Sequence, residues 1–205
     1  MPTSAAFYFD LASPLAYLAA ERVLHILGGP AEWRPVRLGE QHDVAREEIE
    51  RGAQELGLQP IRWPAPFPFD SSLAMRVATY AASIGRAVPF AQAAFRQAFA
   101  GGHSLEDPNF VLIAAAACEM HPTAVLRGAE MRSTIERLEA TTAAAVTAGV
   151  TDVPAVLIGE HVFAGEDALE RAAERMRARA GDRSVPDASD ASYELQIQQT
   201  GPRSS

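Results

Sequence analysis

Residues 5–14, Ala-Ala-Phe-Tyr-Phe-Asp-Leu-Ala-Ser-Pro, carry a short, aromatic-rich apolar run into a helix start. Residues 5–11 read as a buried strand, since aromatic side chains suit a pleated surface. Serine is a preferred N-cap, and proline at the first helical position gives up only an amide that has no partner there. Ser13-Pro14 therefore opens a helix, expected from Pro14 to about Leu27, where Gly28-Gly29-Pro30 stops it. Glu32 to Leu38 alternates well enough to form a second strand. Its Pro35 favours an edge position or an interruption.

Further along, the pattern from Asp43 to Gly149 is almost wholly helical. Breaks are expected at Gly57, the proline-rich 60–68, Gly85, Gly101-Gly102 and Pro122. Asp107-Pro108 repeats the cap-plus-proline signal and opens the helix that carries Cys118. After Gly149, residues 153–158 and 161–163 flank Gly159-Glu160 as two strands about a tight turn, and a last helix spans about 167–180. The order is strand, helix, strand, helical block, strand, strand, helix. It predicts an α/β protein whose sheet domain, residues 1–40 and 150–181, is split by a helical insertion at 41–149. Residues 182–205 have few large apolar groups and read as a flexible tail.

Composition narrows the function. Hydrophobic residues at 48% and charged residues at 21% are those of a globular chain, and 205 residues can bury one core with an insertion. A net charge of -8 offers nothing to phosphate backbones or anionic lipid, so neither nucleic acid nor membrane is an expected partner. The N-terminus lacks a basic segment followed by an apolar one, and the expectation is a cytoplasmic protein. The single cysteine, Cys118, excludes an intramolecular disulfide, a CxxC pair and a thiolate-rich zinc site, and its apolar surroundings suit a buried, inert thiol. His42, His103 and His121 are scattered without metal-ligand spacing, and no metal is expected.

The segments FYFDLASPLAYLAAERV (7–23) and GVTDVPAVLIGEHVFAGEDALERA (149–172) resemble the 2-hydroxychromene-2-carboxylate isomerases and kappa-class glutathione transferases. FPFDSSLAMR and LEDPNFVLIAA add to the likeness, which covers most of residues 5–175. The resemblance implies a DsbA-like thioredoxin fold with an inserted all-helical subdomain. It places Ser13-Pro14-Leu15-Ala16 where redox relatives carry CxxC, with the Ser13 hydroxyl facing the sulfur of bound glutathione or an equivalent small thiol. A hydroxyl at a helix N-terminus would stabilise that thiolate, whereas the plainer role of Ser13 is a helix cap. Val153-Pro154 resembles the cis X-Pro pair that faces the active-site turn, the alternative being a trans proline that begins an edge strand. Glu166-Asp167 aligns with the polar pair that holds the γ-glutamyl end of glutathione; Asp167 could equally serve only as a cap.

Several residues depart from that pattern. Glu166 replaces a neutral residue and would repel an acidic ligand unless it points away. The segment LGEQHDVAREEIERG (38–52) lacks the family's asparagine, and Leu15 replaces a tyrosine. Tyr17 remains, for the core or the pocket wall. Trp63, Phe67 and Phe69, in a proline-spaced segment, either wall an apolar substrate pocket or form a rigid linker that packs on the insertion. The expected activity is a thiol-dependent isomerase or transferase acting on a small aromatic acid, in a protein whose relatives commonly form homodimers. The alternative is a non-catalytic thioredoxin-fold binding protein that has kept the cleft and lost the chemistry.

Overall fold

The computed structural model describes residues 5–39 and 45–182. Its centre is a four-stranded sheet in the order β2-β1-β3-β4, built from β1 (Ala5–Phe9), β2 (Ala31–Pro35), β3 (Ala155–Ile158) and β4 (His161–Ala164). β1 runs parallel to β2, with Phe7 opposite Trp33, and antiparallel to β3, with Phe7 opposite Val156. β3 and β4 pair as a hairpin.

β1 shows why an unbroken apolar run was needed. All five of its residues are buried, and alternation sends them into two different cores. Phe7 and Phe9 enter the larger core with Trp33, Phe95 and Phe99. Ala6 and Tyr8 enter the smaller one with Val36, Ala145, Val150 and Val153. β2 lies at the sheet edge, where Pro35 leaves no interior ladder bond unmade.

Helices α1 (Pro14–Ala20) and α2 (Val23–Leu27) precede β2, and α9 (Ala168–Asp182) follows β4. The expected single helix 14–27 is thus two. The break falls at Glu21 and Arg22, whose side chains reach different partners: Glu21 forms a bidentate ion pair with Arg96, and Arg22 pairs with Glu170 of α9. Gly28, at φ 64°, closes α2 in the left-handed conformation that glycine adopts without a Cβ penalty.

Between β2 and β3 the described elements are helical: α3 (Arg46–Glu55), α4 (Ser72–Ser83), α5 (Ala87–Phe95), α6 (Pro108–Ala116), α7 (Pro122–Glu130) and α8 (Arg132–Thr147). Their breaks fall at the anticipated glycines and prolines, with one addition at Met131, which is extended although neither glycine nor proline marks it. α5 continues into a π-helical turn at Arg96–Ala100. The α/β class is that which the resemblance implied, and the strand order along the chain is that read from the sequence pattern, with the first helix divided in two. No helix among the described residues is long and apolar enough to cross a membrane. Of the tail expected at 182–205, Asp182 is the last residue of α9, and 183–205 lie outside the described residues, as does His42.

Candidate active site

Ser13 caps α1. Its backbone is extended (φ -88°, ψ 114°), its Oγ accepts the Ala16 N–H at 3.1 Å, and Pro14 follows at the first helical position. The same Oγ donates to the Val153 carbonyl oxygen across 3.3 Å, joining the start of α1 to a loop 140 residues away. The Val153–Pro154 peptide bond is cis, as the resemblance implied. Gly165 N in turn donates to the Pro154 carbonyl at 3.0 Å, which brings the start of α9 alongside. Ser13, Val153-Pro154 and the Gly165–Asp167 turn are therefore linked by a continuous run of hydrogen bonds, although the chain separates them by most of its length.

The members of this group differ in exposure. Ser13 is 5% exposed, and its hydroxyl is occupied both as donor and as acceptor. The Val153 N–H is taken by Asp152 Oδ1 at 2.7 Å. Asp167 and Glu166 are exposed; Asp167 pairs with Arg171 at 3.0 Å, one helical turn on, and its carbonyl accepts the Arg171 N–H. Glu166 and Leu15 line a narrow cleft of about 190 Å³ together with Arg22 and Glu55.

The aromatic candidates form one cluster. Tyr17 is buried between Phe95 and Phe99, with ring centroids at 6.1 and 5.6 Å. Burial first, and then the nearby Glu21 carboxylate, push its hydroxyl above the ordinary tyrosine range. Trp63 and Phe67, half-buried, meet edge to face at 5.0 Å, and both contact Phe99. Trp63 Nε1 donates to Glu50 at 2.7 Å, and the Arg46 guanidinium lies over both rings. Phe69 is buried against Phe67 and also lines a separate polar cleft.

That polar cleft holds residues the sequence reading passed over. Asp10, the last residue before the Ser13 turn, is 4% exposed; its Oδ1 accepts the Ala12 N–H at 2.9 Å, and its carbonyl accepts the Ser13 N–H at 3.0 Å. Burial holds its carboxyl above the usual carboxylate range, against the opposing effect of hydrogen bonds from Ala12 and Ser71. The available signal was an aspartate at the end of a fully apolar strand. Cys118 is buried and free, and desolvation raises its thiol above the ordinary cysteine range. His103 stacks on Phe110 at 4.0 Å, and His121 caps α7 through Nδ1, so both have local structural partners. Among the described residues no cluster of His, Cys, Asp or Glu could hold a metal ion.

The DSBA-like thioredoxin domain family model matches residues 6–177. Among solved structures, a 2-hydroxychromene-2-carboxylate isomerase is 21% identical, with a TM-score of 0.74 over 88% of this chain and 99% of that one. A probable DsbA oxidoreductase from Streptomyces coelicolor is 16% identical, with a TM-score of 0.70 over 90% and 93% of the two chains. The cytosolic disulfide reductase DsbM from Pseudomonas aeruginosa, in a structure with GSH, is 11% identical, with a TM-score of 0.62 over 88% and 98%. These likenesses are of fold. No curated protein matches the chain.

Proposed function

Since the chain belongs to the family of DSBA-like thioredoxin domains, we propose that it is a thiol-dependent isomerase or transferase in which Ser13 faces the sulfur of a bound small thiol. The observation that supports this most is the placement of the Ser13 hydroxyl at the N-terminus of α1, 3.3 Å from the Val153 carbonyl. A thiol docking against this helix start meets a hydroxyl donor and the positive end of a helix, both of which favour the thiolate. Ser13 has one proton to donate, and the bond to Val153 is long, so turning that proton toward sulfur gives up little.

The one cysteine in the chain is buried and its thiol is raised by desolvation, which supports a nucleophile supplied by the bound molecule. Its sulfur adds to a conjugated double bond of an aromatic substrate, and the bond electrons move onto the carbonyl oxygen. Rotation about the new single bond follows. Return of the electrons then expels the thiolate and leaves the isomer, with atoms and charge conserved. Protonation of the enolate, by the proton the thiol gave up, in place of the return step gives conjugation. We assign the thiol as glutathione or an equivalent, supported by the similar fold that was solved with GSH. The substrate class is an aromatic acid of the 2-hydroxychromene-2-carboxylate kind.

The full occupation of the Ser13 hydroxyl favours a second reading, a non-catalytic thiol-binding protein. A spectral assay with a 2-hydroxychromene-2-carboxylate substrate separates them. The enzyme gives a change that depends on both protein and glutathione, whereas glutathione binding without turnover leaves only the binding protein.

A further inference from the structure

We infer that the cleft formed by Asp10, Arg37 and Ser71 is a carboxylate subsite, in which an aromatic acid lays its ring on Phe69 and Pro68 and sets its carboxylate between the Arg37 guanidinium and the Asp10 carboxyl. This deepens the reading above and rests on it for the aromatic character of the ligand. The cleft has a volume of about 370 Å³, enough for a single-ring acid. Its walls combine the apolar surfaces of Ala12, Pro68 and Phe69 and the backbone of Gly39 with those polar side chains. Asp10 and Ser71 are each 4% exposed, so the cleft is floored by built-in polar side chains.

The chemistry follows from the charges. Arg37, near the end of β2, donates from Nη2 to Asp70 at 3.0 Å. Asp70 is held below the usual carboxylate range, first by the hydrogen bond from the Ser72 hydroxyl, so it stays ionised and steers the guanidinium. A guanidinium carries five donors in a fork suited to a carboxylate. An ionised Asp10 would repel an incoming carboxylate, but a protonated one donates a short charge-assisted hydrogen bond to it. The groups that face Asp10 are the Ala12 N–H on its own turn, the Ser71 hydroxyl and Asp70 from the segment before α4, and Arg37 from beyond β2. Burial outweighs their net effect and keeps the carboxyl protonated to higher pH than usual. Because Asp10 also accepts the Ser13 N–H through its carbonyl, the subsite and the thiol position share one turn.

The test measures benzoate binding to the full chain by calorimetry across pH, with benzenesulfonate, which stays ionised throughout, as the pH control. Both should bind, and affinity should fall as pH rises through the raised Asp10 pKa, because deprotonation replaces a donor with a like charge. Arg37→Gln, at an exposed position that leaves folding intact, should weaken binding roughly tenfold or more. Asp10→Asn should flatten the pH dependence. Should that variant fail to fold, the benzenesulfonate series on the unaltered chain decides alone. Absence of binding, an affinity indifferent to pH, or full affinity in Arg37→Gln overturns the subsite. Glutathione titrated into the same samples keeps the two readings apart: a chain that binds the aromatic acid but fails to bind glutathione loses the proposed thiol chemistry and keeps the subsite, and one that binds glutathione but not the acid loses the subsite.

Discussion

The two helix starts that meet at Val153-Pro154 are built in opposite ways. α1 begins dry: Ser13 is 5% exposed, its side chain caps the helix, Pro14 follows, and no acidic residue stands in the first turn. α9 begins wet: Gly165 turns with φ 95°, Glu166 and Asp167 are exposed, and Glu170 adds a further acid in the first turn. A buried hydroxyl whose oxygen is fixed by two hydrogen bonds keeps one position and needs only to turn its proton to serve a ligand, which suits a chemical role. An exposed aspartate in an i,i+4 ion pair is loosely held and screened, which suits an adaptable contact with a charged ligand. Within the proposed function, α1 would act on the sulfur and α9 on the polar end of the thiol.

The sharpest way to break this contrast is at Ser13. Ser13→Ala should cut turnover roughly a hundredfold or more, as loss of a preorganised donor does. It should also cost about 1 kcal/mol of stability through the lost cap. Ser13→Gly separates the two effects, because glycine caps tolerably and lowers stability by only a few tenths of a kcal/mol. Turnover measured beside thermal melting should show Ser13→Gly as inactive as Ser13→Ala but more stable. Retained turnover and retained glutathione affinity in Ser13→Gly would leave the hydroxyl only a cap and make the two helix starts functionally alike.

How far these regions could be read from sequence follows the same division. The start of α1 was legible because its signals are local: an aromatic run, then Ser-Pro, then glycines that end the helical stretch. The edge placement of β2 was legible from Pro35 for the same reason. What stayed hidden depends on distant residues. The split between α1 and α2 coincides with ion pairs from Glu21 to Arg96 and from Arg22 to Glu170, which no local pattern announces. The Met131 break between α7 and α8 has no proline or glycine to mark it. Asp10 read as the tail of a strand, since its partners Ser71 and Arg37 come from other parts of the chain. Tyr17 was open between core and pocket until the rings of Phe95 and Phe99 closed around it.

A smaller effect is expected at Asp167. Asp167→Asn removes the carboxylate that, if the pair Glu166-Asp167 holds the γ-glutamyl end of glutathione as the resemblance implies, would meet its ammonium, while keeping the side-chain shape. Glutathione affinity should drop several-fold, as for a partly exposed charged hydrogen bond. The KM for the thiol should rise with kcat nearly unchanged, since the contact is made equally before and during the reaction. Stability should move by less than about 0.5 kcal/mol, because the lost Arg171 pair is exposed. A fall in kcat with unchanged KM would place Asp167 on the chemical side of the contrast.

The smallest expected effect is at Glu166, and its sign is opposite. Glu166 is exposed beside Asp167 and adds a second negative charge where glutathione, itself a net anion, would arrive. Solvent weakens the repulsion, so the penalty is modest, and Glu166→Gln should tighten glutathione binding by roughly two- to threefold. The gain should depend on salt. At physiological ionic strength the screening length is about 8 Å, comparable to the distance between neighbouring surface charges, and near 1 M it shrinks to about 3 Å. Titrations at low and high salt should therefore show the advantage of Glu166→Gln at low salt and its disappearance at high salt. A gain that survives high salt would mean that Glu166 obstructs the ligand by shape. A loss of affinity would mean that it contacts a positive group of the thiol, making both acids at the start of α9 part of the recognition surface.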